Sequence, residues 1–211
     1  MIHEIFAVGP LQCNCSVIGD EGTGEAMVID PGDEIERVLA AVQKHGLKVT
    51  QIVVTHAHID HVGGAMKLKR ATGAPILLNQ NDTALLEMLE VQASWIGMRA
   101  PERVEIDADL REGDTVRAGR VEAAVLHTPG HTEGSVCLYL EAEKKLLAGD
   151  TLFAGSIGRT DLPGGSWEKI LSSLHGKVMT LPDETLVVPG HGPVTTIGEE
   201  RESNPFVKKS F

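Results

Sequence analysis

The sequence predicts an α/β fold, and three observations carry the prediction. Short apolar runs of strand length alternate with segments of helical period. The chain has 211 residues and is 42% hydrophobic and 23% charged, enough apolar side chain to bury a sizeable core and too much for a disordered polypeptide. Finally, the apolar runs repeatedly stop at polar loops that carry His or Asp. Strand ends behave this way at the edge of a helix-flanked sheet, where sites are usually built.

The elements follow in order. Cys13 and Cys15 are two apart and read as small residues on one face of an early strand. Ala26-Met27-Val28-Ile29 is a short strand stopped by Asp30-Pro31-Gly32. Asp33 to Gly46 places Ile35, Val38, Leu39 and Val42 at helical period, with Asp33 as the expected cap and Gly46 as the stop. Val49 to Thr55 is the next strand, His61 to Thr72 the next helix, Pro75 to Leu78 a strand, and Asn81 to about Gly97 a helix. The second half holds more strand: Asp114 to Arg117, Arg120 to Leu126, Val136 to Leu140 and Lys144 to Ala148, as in an antiparallel or mixed sheet. Ser166 to Val178 reads as a helix, Thr185 to Val188 as a last buried strand, and Ile197 to Ser203 as a short helix before Pro205. Nothing resembles a linker or a low-complexity segment, so residues 1–211 are expected to form one domain.

Charge and composition narrow the function. With 30 acidic and 19 basic residues the formal charge is -11, and the minor run Lys67-Leu68-Lys69-Arg70 does not offset it, so nucleic acid is not an expected partner. No stretch approaches the ~20 apolar residues of a membrane span, and the first ten residues lack the basic start and apolar run of a signal peptide. A cytoplasmic protein without membrane contact is expected. Three cysteines cannot build a disulfide framework in a chain of this length, and no CxxC pair accompanies Cys13 and Cys15.

The chemistry concentrates after the strand ending at Val54. His56-Ala57-His58-Ile59-Asp60-His61 puts four metal-type ligands into six residues. The other strand-end loops add His131, Asp150 and His191. Divalent zinc accepts imidazole nitrogen and carboxylate oxygen, and seven such groups are too many for one tetrahedral ion but suit two ions sharing a carboxylate. His56 and His58 can meet one metal from an extended strand end, while Asp60 and His61 turn toward a second as a helix begins. Two divalent ions against two carboxylates and a bridging hydroxide leave about +1, so the site would draw anions that the protein as a whole repels. Metals lower the pKa of bound water to roughly 7, and hydrolysis then requires no protein nucleophile. A set of His and Asp without Cys favours zinc and accepts iron or manganese.

Taken singly, these residues have ordinary roles. His131 could be a loop histidine, and Asp150 after Gly149 a turn residue. The glycines and prolines around His191 fit a backbone that approaches something closely. Together with the HxHxDH run they read as one site. His3, His45 and His175 are read as structural, while His127 is a candidate to support a ligand from behind. Arg159, in a Gly-rich loop following Asp150, is the candidate to hold an anionic substrate, with pairing to Asp161 as the structural alternative.

These segments, His56 to His61, Thr128-Pro129-Gly130-His131-Thr132-Glu133-Gly134-Ser135, Ala148-Gly149-Asp150-Thr151-Leu152-Phe153 and Pro189-Gly190-His191-Gly192-Pro193, together resemble the metallo-β-lactamase superfamily in order and spacing. Asp at position 150 is similar to the hydrolase branch typified by glyoxalase II, here in its compact form. The resemblance implies a four-layered αβ/βα sandwich of two mixed sheets flanked by helices. It implies one metal on His56, His58 and His131, a second on Asp60, His61 and His191, and Asp150 bridging. Asp60 and Asp150, with metal-bound hydroxide, would be the catalytic groups, Arg159 would bind substrate, and the reaction would cleave S-(2-hydroxyacyl)glutathione thioesters such as lactoylglutathione.

The chain departs from larger glyoxalase II enzymes in two ways. It is expected to lack their additional C-terminal helical domain for glutathione, and its one tyrosine, Tyr139, lies in a predicted strand rather than a substrate pocket. Two rivals follow from the same pattern: a persulfide dioxygenase-like enzyme with a single iron on two His and an Asp, and a metallohydrolase acting on another ester or a lactam. A degraded, non-catalytic member is disfavoured because all seven ligand positions are filled. Oligomeric state is not legible.

Overall fold

A computed structural model describes residues 1–208. The first half forms the strands β1 (Ile2–Val8), β2 (Cys13–Asp20), β3 (Glu25–Ile29), β4 (Lys48–Val53), β5 (Ile76–Leu78) and β6 (Ala108–Asp109). They make one six-stranded sheet in that order, antiparallel through β3 and parallel from there. The second half supplies β7 (Thr115–Ala118), β8 (Val121–His127), β9 (Val136–Leu140), β10 (Lys145–Gly149), a small hairpin of β11 (Leu152–Phe153) and β12 (Ser156–Ile157), then β13 (Leu186–Pro189) and β14 (Thr195–Thr196). The second sheet runs β14-β13-β10-β9-β8-β7, with β10 and β13 parallel and its other pairs antiparallel. Both sheets are mixed, as expected.

Successive side chains of a strand point to opposite faces, and here each face has its own core. In β3, Val28 joins the first core while Met27 and Ile29 join the second; in β4, Ile52 and Val53 divide the same way. The mirror arrangement holds in the other sheet, where Leu146 and Val187 join a third core and Leu147 and Val188 the second. The second core therefore lies between the sheets. The outer two are covered by helices, α1 (Ile35–Lys44), α3 (Ala65–Thr72) and α5 (Leu89–Trp95) on the first sheet, α6 (Trp167–Gly176) and α7 (Ile197–Ser203) on the second. Four layers, helix, sheet, sheet, helix, result. Full burial of each Leu, Ile or Val in the central layer stabilises by roughly 1.5–3 kcal/mol.

Some local expectations are corrected. Asp33 is not the cap of α1: its Oδ1 accepts the Glu34 N–H at 2.7 Å, and Glu34 itself holds the N-cap position at φ 50° without a side-chain bond. The expected helix from His61 to Thr72 is two pieces, α2 (Ile59–Val62) and α3, divided at Gly63-Gly64. The cause is the Asp30-Pro31-Gly32 turn, which wedges against the break: a Cβ on Gly63 would meet the Gly32 carbonyl at 2.9 Å, and one on Gly64 the Pro31 carbonyl at 2.5 Å. The expected helix from Asn81 to Gly97 is a 3-10 turn at Gln80–Asp82 followed by α4 (Thr83–Glu87) and α5, which meet at Met88. Among the described residues no helix is long and apolar enough to cross a membrane.

Candidate metal centre

Antiparallel pairing of β8 with β9 and of β9 with β10 makes β8 and β10 run the same way, and β13 is parallel to β10. Their C-terminal ends thus open at one edge, releasing the His131 loop, Asp150 and His191 side by side. Direct bonds bring β4 to the same edge. The Val136 N–H donates to the Thr55 carbonyl at 2.9 Å, joining the two sheets where the HxHxDH run begins. The start of β2 completes the rim, as the Asn14 N–H donates to the Gly190 carbonyl at 2.7 Å.

All seven predicted ligand positions converge here. His56 Nε2 lies 3.1 Å from His58 Nδ1, which lies 2.9 Å from His131 Nε2. On the other side, His191 Nε2 is 3.0 Å from Asp60 Oδ2 and 3.3 Å from His61 Nε2. Asp150 stands between the two groups, its Oδ1 3.3 Å from His61 Nε2 and its Oδ2 3.6 Å from His131 Nε2 and 3.7 Å from His191 Nε2.

The far nitrogens are held by the protein, and this fixes which lone pair faces inward. His131 Nδ1 donates to the Arg159 carbonyl at 2.8 Å, and His191 Nδ1 to the Leu11 carbonyl at 3.0 Å. His61 Nδ1 donates to Asp30 Oδ2 at 2.9 Å. His56 Nδ1 contacts Thr55 Oγ1 at 3.1 Å, and that hydroxyl donates to the same Asp30 oxygen at 2.8 Å. One buried carboxylate therefore orients two imidazoles.

Burial lowers His56 well below the ordinary histidine range and takes His58 down to about 3; it lowers His131 as well. These rings are neutral, as ligands must be. Burial also works against charge on His61, but the carboxylates Asp150, Asp60 and Asp30 outweigh it and raise His61 well above the usual range. At His191 burial is likewise outweighed, chiefly by the Asp60 hydrogen bond. Burial would keep Asp60 and Asp150 protonated, but His61 and His191 hold both below the usual carboxylate range. The pocket draws positive charge onto itself.

The donor set fits two divalent ions. Five imidazoles and two carboxylates face inward in two groups, His56, His58 and His131 against Asp60, His61 and His191. Asp150 Oδ1 is buried without a hydrogen bond, an acceptor left free in a packed site. Gly190 makes room for it, since a Cβ there would stand 2.1 Å from Asp150 Oδ1.

Arg159 lines the cavity above the cluster, but its guanidinium is paired with Asp161 through Nε and one terminal nitrogen, both at 2.7 Å. His127 is not bonded to any of the seven side chains: its Nε2 bonds the Glu133 carbonyl at 2.9 Å. The sequence does not single out three buried residues that position these side chains. Asp30 is one. Asp82 accepts from the Ala57 and Gly134 N–H groups and from Thr132 Oγ1 at 2.9, 2.6 and 2.8 Å, tying the HxHxDH run to the His131 loop. Gln92 accepts from the Ile59 N–H at 2.9 Å. The signal available for Asp30 was its place at the end of an apolar strand, the pattern that marked the ligands themselves.

A family model described as the metallo-beta-lactamase superfamily matches residues 8–191. A Haemophilus influenzae protein named hydroxyacylglutathione hydrolase GloC is 41% identical over 212 residues, covering 97% of each chain. Among solved structures, BLEG-1 B3 metallo-beta-lactamase superposes with a TM-score of 0.91 at 35% identity, over 99% of this chain and 100% of that one. TTHA1623, solved in a di-iron-bound form, has a TM-score of 0.87 at 40% identity, over 95% of this chain and 98% of the other.

Proposed function

Because the chain belongs to the metallo-beta-lactamase superfamily, we propose that it is a binuclear metal-dependent hydrolase of thioesters, acting on S-(2-hydroxyacyl)glutathione. The observation that carries this reading is the division of the inward-facing donors into two groups with Asp150 between them. In the proposed site His56, His58 and His131 would hold one ion and Asp60, His61 and His191 a second, with Asp150 within reach of both groups. Zinc suits these donors best, with iron and manganese also compatible. When bound, two divalent ions supply Lewis acidity toward a carbonyl and acidify water at neutral pH.

The chain's own residues support water as the nucleophile. Cys13, the thiol beside the cluster, is buried and pushed up to about 11, so it is not a thiolate at neutral pH. Asp60 and Asp150 are kept ionised, as acceptors for charge or protons in the reaction. Oxygen from water joins the acyl carbon, the carbon–sulfur bond breaks, and the thiol leaves with a proton taken from that water. Thiolate is a good leaving group, so no general acid is needed. Arg159 is the cation proposed to meet an anionic thiol portion, and its partner Asp161 must yield for it to do so. The relative named a hydroxyacylglutathione hydrolase supports the substrate class.

The test is metal analysis of the purified protein with an assay for loss of lactoylglutathione absorbance. Two metals per chain and hydrolysis reduced at least a hundredfold by His58→Ala or Asp150→Ala are expected. One iron per chain with oxygen consumption on glutathione persulfide, or variants as active as the parent, would overturn the reading.

A further inference from the structure

The cavity over the donor cluster has a volume of about 600 Å³, in the range of small-molecule sites. Its floor carries the His and Asp groups, but part of its wall is apolar. Among the described residues nine large hydrophobic side chains are exposed, and three of them, Leu11, Trp95 and Ile96, line this one cavity. Trp95, 53% exposed at the end of α5, shares this lining with Ile96 and Leu11, and exposed apolar side chains gathered in one place, unlike a lone one, mark a binding surface.

The placement is built. One turn before Trp95, Gln92 is buried, accepting the Ile59 N–H at 2.9 Å and donating to the Ala57 carbonyl at 3.3 Å. The end of α5 is thereby locked to the backbone on both sides of His58. Ile59 and Leu162 extend the apolar lining. The cation in the lining, Arg159, is the group proposed above for the thiol portion, and it is paired with Asp161.

We propose that Trp95, Ile96, Leu11 and Leu162 form the pocket for the acyl half of the substrate, and that the preferred thioesters carry a ring or an aliphatic chain rather than a short lactoyl group. This rests on the thioester reading above. A glutathionyl half bears two carboxylates and an ammonium, and desolvating those against Trp95 and Ile96 is costly without partners. The acyl half is the part that can gain from apolar contact.

The test uses the metal-loaded protein and two thioethers that cannot be hydrolysed, S-methylglutathione and S-hexylglutathione. The chain has two tryptophans, and the other, Trp167, packs against Phe206 with ring centroids 6.2 Å apart. In a Trp167→Phe protein the fluorescence therefore reports Trp95 alone. Burial of each methylene is worth about fourfold in affinity. We expect S-hexylglutathione to shift Trp95 emission with a Kd at least tenfold below that of S-methylglutathione, and Ile96→Ser to reduce that advantage at least threefold. Turnover of S-mandeloylglutathione should exceed that of S-lactoylglutathione at least fivefold in kcat/KM. Equal affinities, or no Trp95 response to either thioether, would overturn the pocket. A protein that hydrolyses lactoylglutathione yet binds both thioethers equally refutes the pocket alone. One that prefers the hexyl compound but cleaves no thioester refutes the hydrolase reading alone.

Discussion

Asp30 Oδ2 accepts the His61 Nδ1 proton at 2.9 Å, and through Thr55 Oγ1 at 2.8 Å the same oxygen also steadies His56. Its other oxygen accepts the Thr55 N–H at 2.7 Å. The residue sits at φ 51°, a left-handed conformation in which Asp and Asn are the tolerated non-glycine residues. Asp30→Asn preserves the backbone but replaces one acceptor oxygen with an amide that cannot accept. The expected outcome is a ten- to hundredfold loss of metal affinity with the fold retained, measured by competition with a chelating indicator. Unchanged affinity would mean that His56 and His61 hold their orientation without this carboxylate.

Asp82 joins the loop of His56 and His58 to the loop of His131 and touches none of the three imidazoles through a hydrogen bond. Burial raises its pKa against three hydrogen bonds that favour the charged form, so its contacts, not exposure to water, hold it in place. Asp82→Ala leaves the Ala57 and Gly134 N–H groups and the Thr132 hydroxyl without their acceptor, at about 1–3 kcal/mol for each buried group left unsatisfied. Denaturant unfolding should show a stability loss of several kcal/mol. Because the His58 and His131 segments part company, metal content should also fall.

The two kinds of residue differ in how far the sequence reveals them. The seven proposed ligand positions stand in runs rich in His, Asp and Gly, and the strand ends before them predict the shared edge. Asp30 and Asp82 are single carboxylates in turns, where Asp is ordinary, and only the fold shows that Asp30 faces His61. The glycine pair at 63 and 64 has no meaning until the Pro31-Gly32 turn is seen against it, which is why the helix after His61 reads as continuous. Strand β1 is likewise not legible in the sequence. As an edge strand with a half-exposed pattern it has no strong apolar alternation, and its register on β2 is set by pairing alone.

Protonation should reveal the cluster in metal-free protein. His56, His58 and His131 have folded-state pKa values below 6.5, so their stabilising contribution is complete above the unfolded value and is lost as pH falls from about 6.5 toward about 3, the value at His58. His61 and His191 are raised, so theirs is complete below 6.5 and is lost as pH rises through their folded values. After chelator treatment, Tm should fall on both sides of a maximum in the mildly acidic to neutral range. With metal in place of the His61 and His191 protons the alkaline limb should vanish. A metal-free Tm that is flat from pH 4 to 9 would contradict these shifts.

Gly190 offers the sharpest separation of site from scaffold. It follows β13 and its N–H donates to the Gly149 carbonyl at 2.7 Å, so the backbone here is pinned to the strand end that carries Asp150. A methyl group on Gly190 would stand 2.1 Å from Asp150 Oδ1 and 2.8 Å from His61 Cε1, and neither side chain is a flexible one at the surface. Asp150 is the carboxylate between the two donor groups, so the collision strikes the one position they share. Gly190→Ala should therefore retain its circular dichroism spectrum and much of its stability, since Gly190 lies just beyond the end of β13, while metal content and hydrolysis fall at least a hundredfold. If Gly190→Ala binds two metals with parental affinity, Asp150 is not held where the packing places it, and its role between the two donor groups would be refuted.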